Sequence, residues 1–332
     1  MQKRWFAIFL GASLFLSPPA SAASSDMFKG KTITYIVATS PGGGYDTYGR
    51  VIVRHLQKYL PGSRILVKNV PGAGNVIGAN QLYNARPDGT TIGMFNTGLI
   101  YDQLISNRAL RFDLAKFSWI GKAATEARAL VIAKSSGLTK FDDLLTSKVP
   151  IKFATSGVGT ASYFETRILA DSVHLNVQTV NGFSGNTGEM SMLRGEIAAQ
   201  VATVDSLEQF VKNGRGYWGL AISGNDVLLQ GVPKVTDYVR DARGKQLLTL
   251  LQAVSELGRL TAGPPAMPAN ILAVHREALS SVMKDPEFLA EAKKLNLPID
   301  ALPGDVVEAK VKAVLNQPAE TVAALKRVAE GG

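Results

Sequence analysis

The sequence predicts an α/β protein of two lobes, each a mainly parallel sheet flanked by helices. Short apolar runs of strand length alternate with amphipathic stretches of helix length, a pattern typical of βαβ units. The apolar runs are nearly continuous, as expected for strands covered on both faces. About 310 residues follow an N-terminal leader, and a chain of this length favours two lobes over one.

The leader has the order of a cleaved secretory signal. Lys3 and Arg4 precede an apolar run at 5–16, and Ala20-Ser21-Ala22 follows it. A membrane anchor is the alternative, but the run is well short of the roughly 20 residues that span a bilayer. We therefore expect residues 1–22 to be a signal peptide that is removed after Ala22, and the mature chain to be exported to the periplasm.

Composition narrows the class of partner. The chain has no cysteine, which excludes disulfides, thiolate metal sites and a cysteine nucleophile. Its net charge is +9, of which the leader carries two charges, so +7 remain on the mature chain. A positive field raises the local concentration of anions, which favours a small anionic ligand. The basic residues are scattered rather than grouped in blocks, so we expect no nucleic-acid partner.

The first lobe begins with the apolar run Ile33–Ala38, which predicts a strand. Apolar positions at helical spacing then predict a helix at about 47–60. The elements that follow are a strand at 64–69, a helix at 75–85 and a strand at 91–95. The turn Pro87-Asp88-Gly89 separates the last two.

A second strand–helix series begins near residue 126. Its predicted strands lie at 129–133, 151–154, 177–180, 198–204 and 218–222. Its predicted helices lie at 141–146, from after Thr160 to about 175, and from after Gly185 to 194. From residue 268 the tail is predicted to be helical, with prolines between its segments. We expect lobe boundaries of 23–125 plus 248–332 for the first lobe and 126–247 for the second.

The most informative segment is the turn Ser40-Pro41-Gly42-Gly43-Gly44-Tyr45-Asp46-Thr47 between the first strand and helix. Glycine lets the backbone turn sharply and approach a ligand closely, and a helix N-terminus directs free N–H groups at an anion. The alternative is that this turn only connects the strand to the helix and contacts no ligand. Asp46 is either a ligand group or the helix N-cap. We expect Gly43 to approach the ligand or to adopt a positive φ. The candidate ligand residues here are Ser40, Gly42, Gly43, Tyr45, Asp46 and Thr47.

Two loops in the second lobe repeat this chemistry, at 156–162 and 181–185. Each offers backbone N–H groups together with hydroxyl or amide side chains. We therefore expect polar, glycine-lined rims on both sides of a cleft. The candidate ligand residues in these loops are Ser156, Gly159, Thr160, Ala161, Asn181 and Gly182. Two further candidates are Asn96, at the end of a first-lobe strand, and Asp205 in the second lobe.

A further glycine motif, G-x-G-x-x-x-G, lies in the segment 71–78 and resembles a dinucleotide fingerprint. The next strand, however, ends in Asn96 and lacks the acidic residue that would bind a ribose. We therefore interpret these glycines as close packing of a helix on the sheet.

Signatures of catalysis and of metal binding are not found. The sequence has no G-x-S-x-G, no G-x-x-x-x-G-K-[ST] and no H-E-x-x-H. The three histidines, His55, His174 and His275, have no ligand spacing, and we expect them at surface or boundary positions. We predict no catalytic residues, no metal site and no cofactor.

Three motifs of this sequence resemble motifs of a known protein family and occur in the same order. They are Ser40-Pro41-Gly42-Gly43-Gly44-Tyr45-Asp46, the segment 69–79, and Ala85-Arg86-Pro87-Asp88-Gly89-Thr90-Thr91. They are similar to the P-G-G-x-x-D, N-x-P-G-A-G-G-x-x-G and A-x-P-D-G-x-T-L motifs of the TctC or Bug family. These are the solute-binding proteins of tripartite tricarboxylate transporters. The resemblance spans almost the whole mature chain and is densest from 33 to 98.

The resemblance implies a two-lobed periplasmic-binding-protein architecture of the Venus-flytrap type, with crossing strands between the lobes. It implies a carboxylate held in the cleft by the loops 40–47 and 156–162, and the Asn181-Gly182 turn matches the family's V-P-Y-K-G segment in position. Tyr163 and Phe164 stand where the family often has a histidine. With that histidine and the lysine of V-P-Y-K-G missing, Tyr45 and Tyr163 leave room for a ring or a longer carbon chain.

The function expected from these observations is capture without catalysis. The protein is expected to bind a small di- or tricarboxylate, or an aromatic carboxylate, and to deliver it as a monomer to the membrane components of a tripartite tricarboxylate transporter. A periplasmic hydrolase is one alternative, and it would need a nucleophile paired with a base. A ligand-presenting component of a two-component sensor is the other.

Overall fold

The structure, a computed structural model, describes residues 25–330. The predicted signal peptide, residues 1–22, lies outside the described residues. The strands of the described part are β1 (Thr32–Val37), β2 (Arg64–Asn69), β3 (Thr91–Met94), β4 (Ser118–Lys122), β5 (Arg128–Ala133), β6 (Ile151–Thr155), β7 (Val177–Asn181), β8 (Ala199–Thr203), β9 (Gly216–Ser223), β10 (Leu260–Gly263) and β11 (Leu302–Pro303).

Helices cover both sheets. They are α1 (Gly44–Tyr59), α2 (Val76–Tyr83), α3 (Gly98–Leu104), α4 (Phe141–Leu145), α5 (Ala161–Ser172), α6 (Thr187–Leu193), α7 (Val204–Lys212), α8 (Ala242–Leu257), α9 (Ala269–Val282), α10 (Pro286–Lys294), α11 (Gly304–Leu315) and α12 (Ala319–Glu330). Among the described helices, none combines the length and the apolarity that a membrane span requires.

Within the described residues the strands form two sheets, which confirms the predicted two-lobed α/β fold. The first has the order β11-β4-β10-β3-β1-β2 and the second has the order β7-β6-β8-β5-β9. In the first sheet β1 to β4 point one way, and β10 and β11 point the other way. In the second sheet β6 to β9 share one direction, and β5 is reversed.

Two of the reversed strands, β5 and β10, mark the places where the chain passes between the sheets. β5 follows directly from β4 of the first sheet, and β10 follows from α8 after the second sheet is complete. Each therefore begins at the crossing and runs away from it, whereas the β-strands of the βαβ units run towards it. This topology places Arg128, the first residue of β5, and Arg259, just before β10, at the crossing itself.

Backbone hydrogen bonds join the two crossing segments, 123–126 and 255–259. Ala123 N donates to Arg259 O at 2.9 Å, and Arg259 N donates to Ala124 O at 2.9 Å. Glu126 N donates to Ser255 O at 3.1 Å. The two connections are thus a short paired ribbon rather than two independent linkers.

One hydrophobic cluster runs through both halves of the molecule. It contains buried residues of α3, α5, α8, α11 and α12 together with the faces of both sheets that they cover. A second cluster packs α1, α9 and α10 on the other face of the first sheet. The C-terminal helices touch both halves, since α11 packs on β4 and α12 packs on α5 and α8. The residue boundaries of the two lobes stay a prediction.

Candidate functional site

A cavity of about 510 Å³ lies between the two sheets, where several loops converge. Two loops come from the first sheet, around 39–45 and 71–75. Two come from the second sheet, around 156–162 and 182–185. Each loop follows the end of a strand that points towards the crossing, which is where open α/β sheets place their ligands.

The N-terminus of α1 forms one wall. Gly43 is its N-cap with φ −95° and ψ 174°, and no side chain caps the helix there. A Cβ atom added to Gly43 would meet no atom within 4 Å, so this residue faces open space. The first N–H groups of a helix have no intrahelical acceptor, and the helix dipole makes this end positive. The positive φ, +84°, belongs to Gly42 instead.

Asp46 holds the shape of this turn. Its Oδ2 accepts hydrogen bonds from Gly42 N at 2.9 Å and from Arg50 Nε at 3.0 Å, and its Oδ1 accepts one from Asn69 Nδ2 at 2.8 Å. Burial alone would raise the pKa of Asp46, but the hydrogen bonds from Arg50, Gly42 and Asn69 lower it below its ordinary value. Thr47 Oγ1 donates to Gly43 O at 3.2 Å. Both side chains are engaged inside the turn.

The N-terminus of α5 forms the opposite wall. Thr160 is its N-cap, and the Thr160 hydroxyl donates to Gly157 O at 2.6 Å rather than to the helix. Ser156 N donates to Ser162 Oγ at 3.0 Å. The first N–H of the helix, on Ala161, donates to the side-chain oxygen of Asn96 at 2.9 Å. Asn96, which lies just after β3 of the first sheet, therefore closes the start of a helix of the second.

Arginine side chains from the crossing reach the cavity. Arg128 and Arg259 both line it, although their side chains are only 6 % and 3 % exposed. The guanidinium of Arg259 stacks on Tyr45, with its Cζ 4.1 Å from the ring centroid. Burial alone would raise the pKa of Glu126, but Arg128 and Arg259, which flank it, lower that pKa. The cavity thus combines two positive helix ends with two buried cations.

A family model decides the identity of the chain. The model described as the tripartite tricarboxylate transporter family receptor, TctC, matches residues 49–300. The chain belongs to the TctC family.

Individual relatives and solved structures are also similar to this chain. A UPF0065 protein from the tcbD–tcbE intergenic region of Pseudomonas sp. (strain P51) is 26 % identical over 207 residues, which is 61 % of this chain and 61 % of that protein. The chain therefore spans about three fifths of the length of this relative. The periplasmic binding protein BugD has a TM-score of 0.73 at 20 % identity, over 90 % of this chain and 97 % of BugD. MatC of Rhodopseudomonas palustris, solved with bound malate, has a TM-score of 0.70 at 19 % identity, over 90 % of this chain and 99 % of MatC.

The structure brings about half of the predicted ligand residues of this TctC receptor to the cavity wall. The predicted residues that line the cavity are Ser40, Gly43, Tyr45, Asn96, Ser156, Thr160 and Gly182. The predicted residues outside the lining are Gly42, Asp46, Thr47, Gly159, Ala161, Asn181 and Asp205. Several of the latter have another partner: Asn181 Oδ1 accepts from Thr155 Oγ1 at 2.6 Å, and Asp205 Oδ2 lies 3.5 Å from Arg259 Nη2.

Other lining residues were not predicted from the sequence. They include Arg128, Arg259, Gln200 and the loop 71–75. The G-x-G motif was the available signal for that loop. Its last glycine does pack as expected, since a Cβ on Gly78 would lie 2.6 Å from Ala38 Cβ, but Gly72 and Gly74 line the cavity. The arginines had no local signal, because chain crossing brings them together.

Two side-chain expectations are wrong. Tyr163 does not shape the space for a ligand, because it lies outside the lining and its hydroxyl donates to Ala329 O of α12 at 2.8 Å. His55 and His275 are buried, at 7 % and 1 % exposure, rather than at the expected surface or boundary positions, whereas His174 is exposed as expected. Burial lowers the pKa of His275 to about 4, despite a hydrogen bond to Gly89 O that raises it.

In the described part of the chain, one group of side chains has the spacing of a metal site: His55, Asp285 and Glu287. The ammonium of Lys58 already lies 2.9 Å from Asp285 Oδ2 and 2.7 Å from Glu287 Oε2. This lysine supplies the positive charge that a metal ion would bring. His55 lies on α1, Asp285 caps α10 and Glu287 lies in its first turn, away from the cavity lining.

Proposed function

We propose that this TctC receptor is exported to the periplasm, captures a small carboxylate between its lobes and delivers it to the membrane components of a tripartite tricarboxylate transporter. The observation that carries the proposal is the convergence of two helix N-termini on one cavity with buried cations in its wall: α1, which has no side-chain cap, and α5, whose first N–H is bound by Asn96. The description of the family as a transporter receptor, and malate in the related MatC, support it.

The chemistry of capture is hydrogen bonding to a carboxylate in a place shielded from water. The first-turn N–H groups of α1, with the hydroxyls of Ser40, Ser156 and Ser162, are the donors we assign to the ligand. A hydrogen bond to a charged group contributes about 1.5–3 kcal/mol. Electrostatic interactions strengthen further when lobe closure removes water from the ligand.

We infer binding without bond breaking, by a monomer whose lobes are 23–125 with 248–332 and 126–247. Family membership supports a receptor role rather than the hydrolase or sensor alternatives. Affinity would then come from burial of the ligand and from the helix ends, and hinge motion about the paired crossing ribbon would couple capture to delivery.

The test is a thermal-shift and calorimetric panel of mono-, di- and tricarboxylates, aromatic acids included, each beside its neutral amide. A carboxylate that binds the native state raises the melting temperature by mass action. We expect at least one acid to do so while its amide, which has the same shape without the charge, does not. Equal shifts with acid and amide, or none with any acid, would overturn the proposed function.

A further inference from the structure

A second pocket, which we call the arginine pocket, lies where the end of α5 meets the start of α8 and the last turns of α12. Its volume is about 460 Å³, and its charged lining residues are Arg167, Arg243, Arg327 and Asp171. Asp171 is near the end of α5, about 15 Å along the helix from Ala161, which starts it beside the carboxylate cavity. No described residue lines both pockets. The arginine pocket is therefore separate from the carboxylate cavity.

The guanidinium groups of this pocket have hydrogen-bonding capacity to spare. Arg167 Nε donates to Val328 O at 2.9 Å, which anchors the side chain but leaves its terminal nitrogens available. Within residues 25–330, neither Arg167 nor Arg327 forms an ion pair with a carboxylate, whereas Arg243 Nη2 lies 3.1 Å from Asp171 Oδ1. The described lining thus carries three cations and one carboxylate. A positive pocket favours an anion, and planar guanidinium groups bind the oxygens of an oxyanion in pairs.

One carboxylate oxygen of the arginine pocket lacks a hydrogen-bond donor. Asp171 Oδ1 accepts from Arg243 Nη2, but Asp171 Oδ2 is buried and has no partner in the part of the chain that the structure describes. A buried acceptor without a donor is unfavourable. A fully ionised anion would leave Oδ2 unpaired and would repel it. An oxyanion that keeps a proton can donate to Oδ2 while its other oxygens accept from the arginines.

We propose that the arginine pocket is a second anion site, independent of carboxylate capture, and that it binds a phosphate group that still carries a proton. The P–OH group donates to Asp171 Oδ2, and the remaining oxygens accept from Arg167, Arg243 and Arg327. Sulfate has the same tetrahedral shape but is fully ionised, and an ionised carboxylate also has no proton to donate. The ligand of this pocket therefore differs in chemistry from the ligand of the cavity.

The rest of the lining leaves space beyond a single phosphate group. It contains the apolar side chains of Leu175, Val177, Ala324 and Val328. Free phosphate and the end group of a small phosphate monoester share the required chemistry. An ionised phosphodiester, as in most phospholipid headgroups, has no P–OH group and lies outside this class.

The experiment is calorimetry at pH 6 and constant ionic strength with inorganic phosphate, glycerol 3-phosphate and sulfate. The second pKa of a phosphate monoester is about 6, so both phosphates keep P–OH groups at this pH. We expect the better phosphate to bind at least about tenfold more tightly than sulfate. Tighter binding of inorganic phosphate identifies the free ion as the ligand, and tighter binding of glycerol 3-phosphate identifies a monoester.

An arginine variant assigns the binding to this pocket. Arg327 is exposed on α12, so Arg327→Gln should fold normally and weaken phosphate binding about tenfold. The matched control is Lys326→Gln, which removes the same charge from the neighbouring exposed residue of α12 outside the pocket lining. It should bind phosphate as the native protein does.

A second variant tests the role of the proton. Asp171→Asn keeps the shape of the side chain, but its amide can donate to either anion. We expect this variant to bind sulfate and phosphate with similar affinity, because the acceptor that required a proton is gone. A purely structural role of Asp171 would change both affinities together and keep the preference for phosphate.

Each outcome decides. Equal affinity of the native protein for sulfate and phosphate, or no binding of either, overturns the inference and leaves carboxylate capture standing. Phosphate affinity that is unchanged in Arg327→Gln places the phosphate elsewhere, for example in the carboxylate cavity, and also overturns it. If Asp171→Asn does not fold, the anion comparison on the native protein and the Arg327→Gln variant decide alone.

Discussion

Glu165 is a fully buried carboxyl group on α5, and its environment makes stability depend on pH. Burial raises its pKa to about 7 from an ordinary value of 4.5, with Arg128 opposing the shift. Between these two values the folded protein holds a proton that the unfolded chain has released. Its contribution to stability is therefore fully present below about pH 4.5 and is lost as pH rises through 7.

We predict that Glu165→Gln, which keeps the shape and removes the titration, flattens the fall in melting temperature between pH 5 and pH 7.5. Asp102→Asn is the matched control, because burial raises the pKa of Asp102 only to about 6, against the hydrogen bond from Asn107. Its effect should appear at lower pH. Parallel pH profiles of wild type and Glu165→Gln, measured by differential scanning fluorimetry, would contradict the prediction.

At the scale of elements, the start of α1 is the part of the site that one substitution tests most cleanly. A side chain at Gly43 would point into open space, and its φ of −95° suits any residue. Gly43→Val should therefore fold normally, yet fill the space next to the first-turn N–H groups.

We predict at least a tenfold loss of carboxylate affinity in Gly43→Val, with a melting temperature close to that of wild type, measured by calorimetry and thermal unfolding. Ala269→Val is the control, since Ala269 is an exposed residue at the start of α9, away from the cavity lining. Unchanged carboxylate affinity in a folded Gly43→Val protein would mean that the turn only connects β1 to α1 and does not contact the ligand.

Elements with local signals were predictable from the sequence. The strand predicted at 64–69 has the bounds of β2, and the glycine turn before α1 was recognised because its chemistry is contained in eight neighbouring residues. Helix α3 was not predicted, since its residues are buried by packing against α5 rather than by an amphipathic pattern of their own. Arg128 and Arg259 meet only through the chain crossing, a contact that no local pattern encodes.

At the scale of the whole molecule, the two halves are joined in more places than the crossing ribbon. Asn96 Oδ1 accepts from Gly98 N on its own side and from Ala161 N on the other, each at 2.9 Å. The C-terminal segment adds a third link, since α11 packs on β4 and α12, which follows it, accepts at Val328 O from Arg167 Nε of α5 at 2.9 Å. Motion between the lobes must therefore break these hydrogen bonds or move the bonded residues together.

The loops of the two lobes also meet at the rim of the cavity. A Cβ atom on Gly74 would lie 2.9 Å from the carbonyl oxygen of Val158 and 3.0 Å from Gly159 Cα. Backbone therefore touches backbone across the rim, and a side chain at Gly74 would have to displace it.

This contact has a kinetic consequence. If the lobes must part before a solute enters, lobe opening limits the rate of binding. The observed association rate constant then reaches a plateau at high solute concentration instead of rising in proportion to that concentration. Stopped-flow fluorescence of the buried Trp119 and the half-buried Trp218 should record that plateau. A rate constant that stays proportional to concentration would mean that solute enters without separation of the loops at Gly74 and Gly159. Release to the transporter would then need no opening of the lobes either.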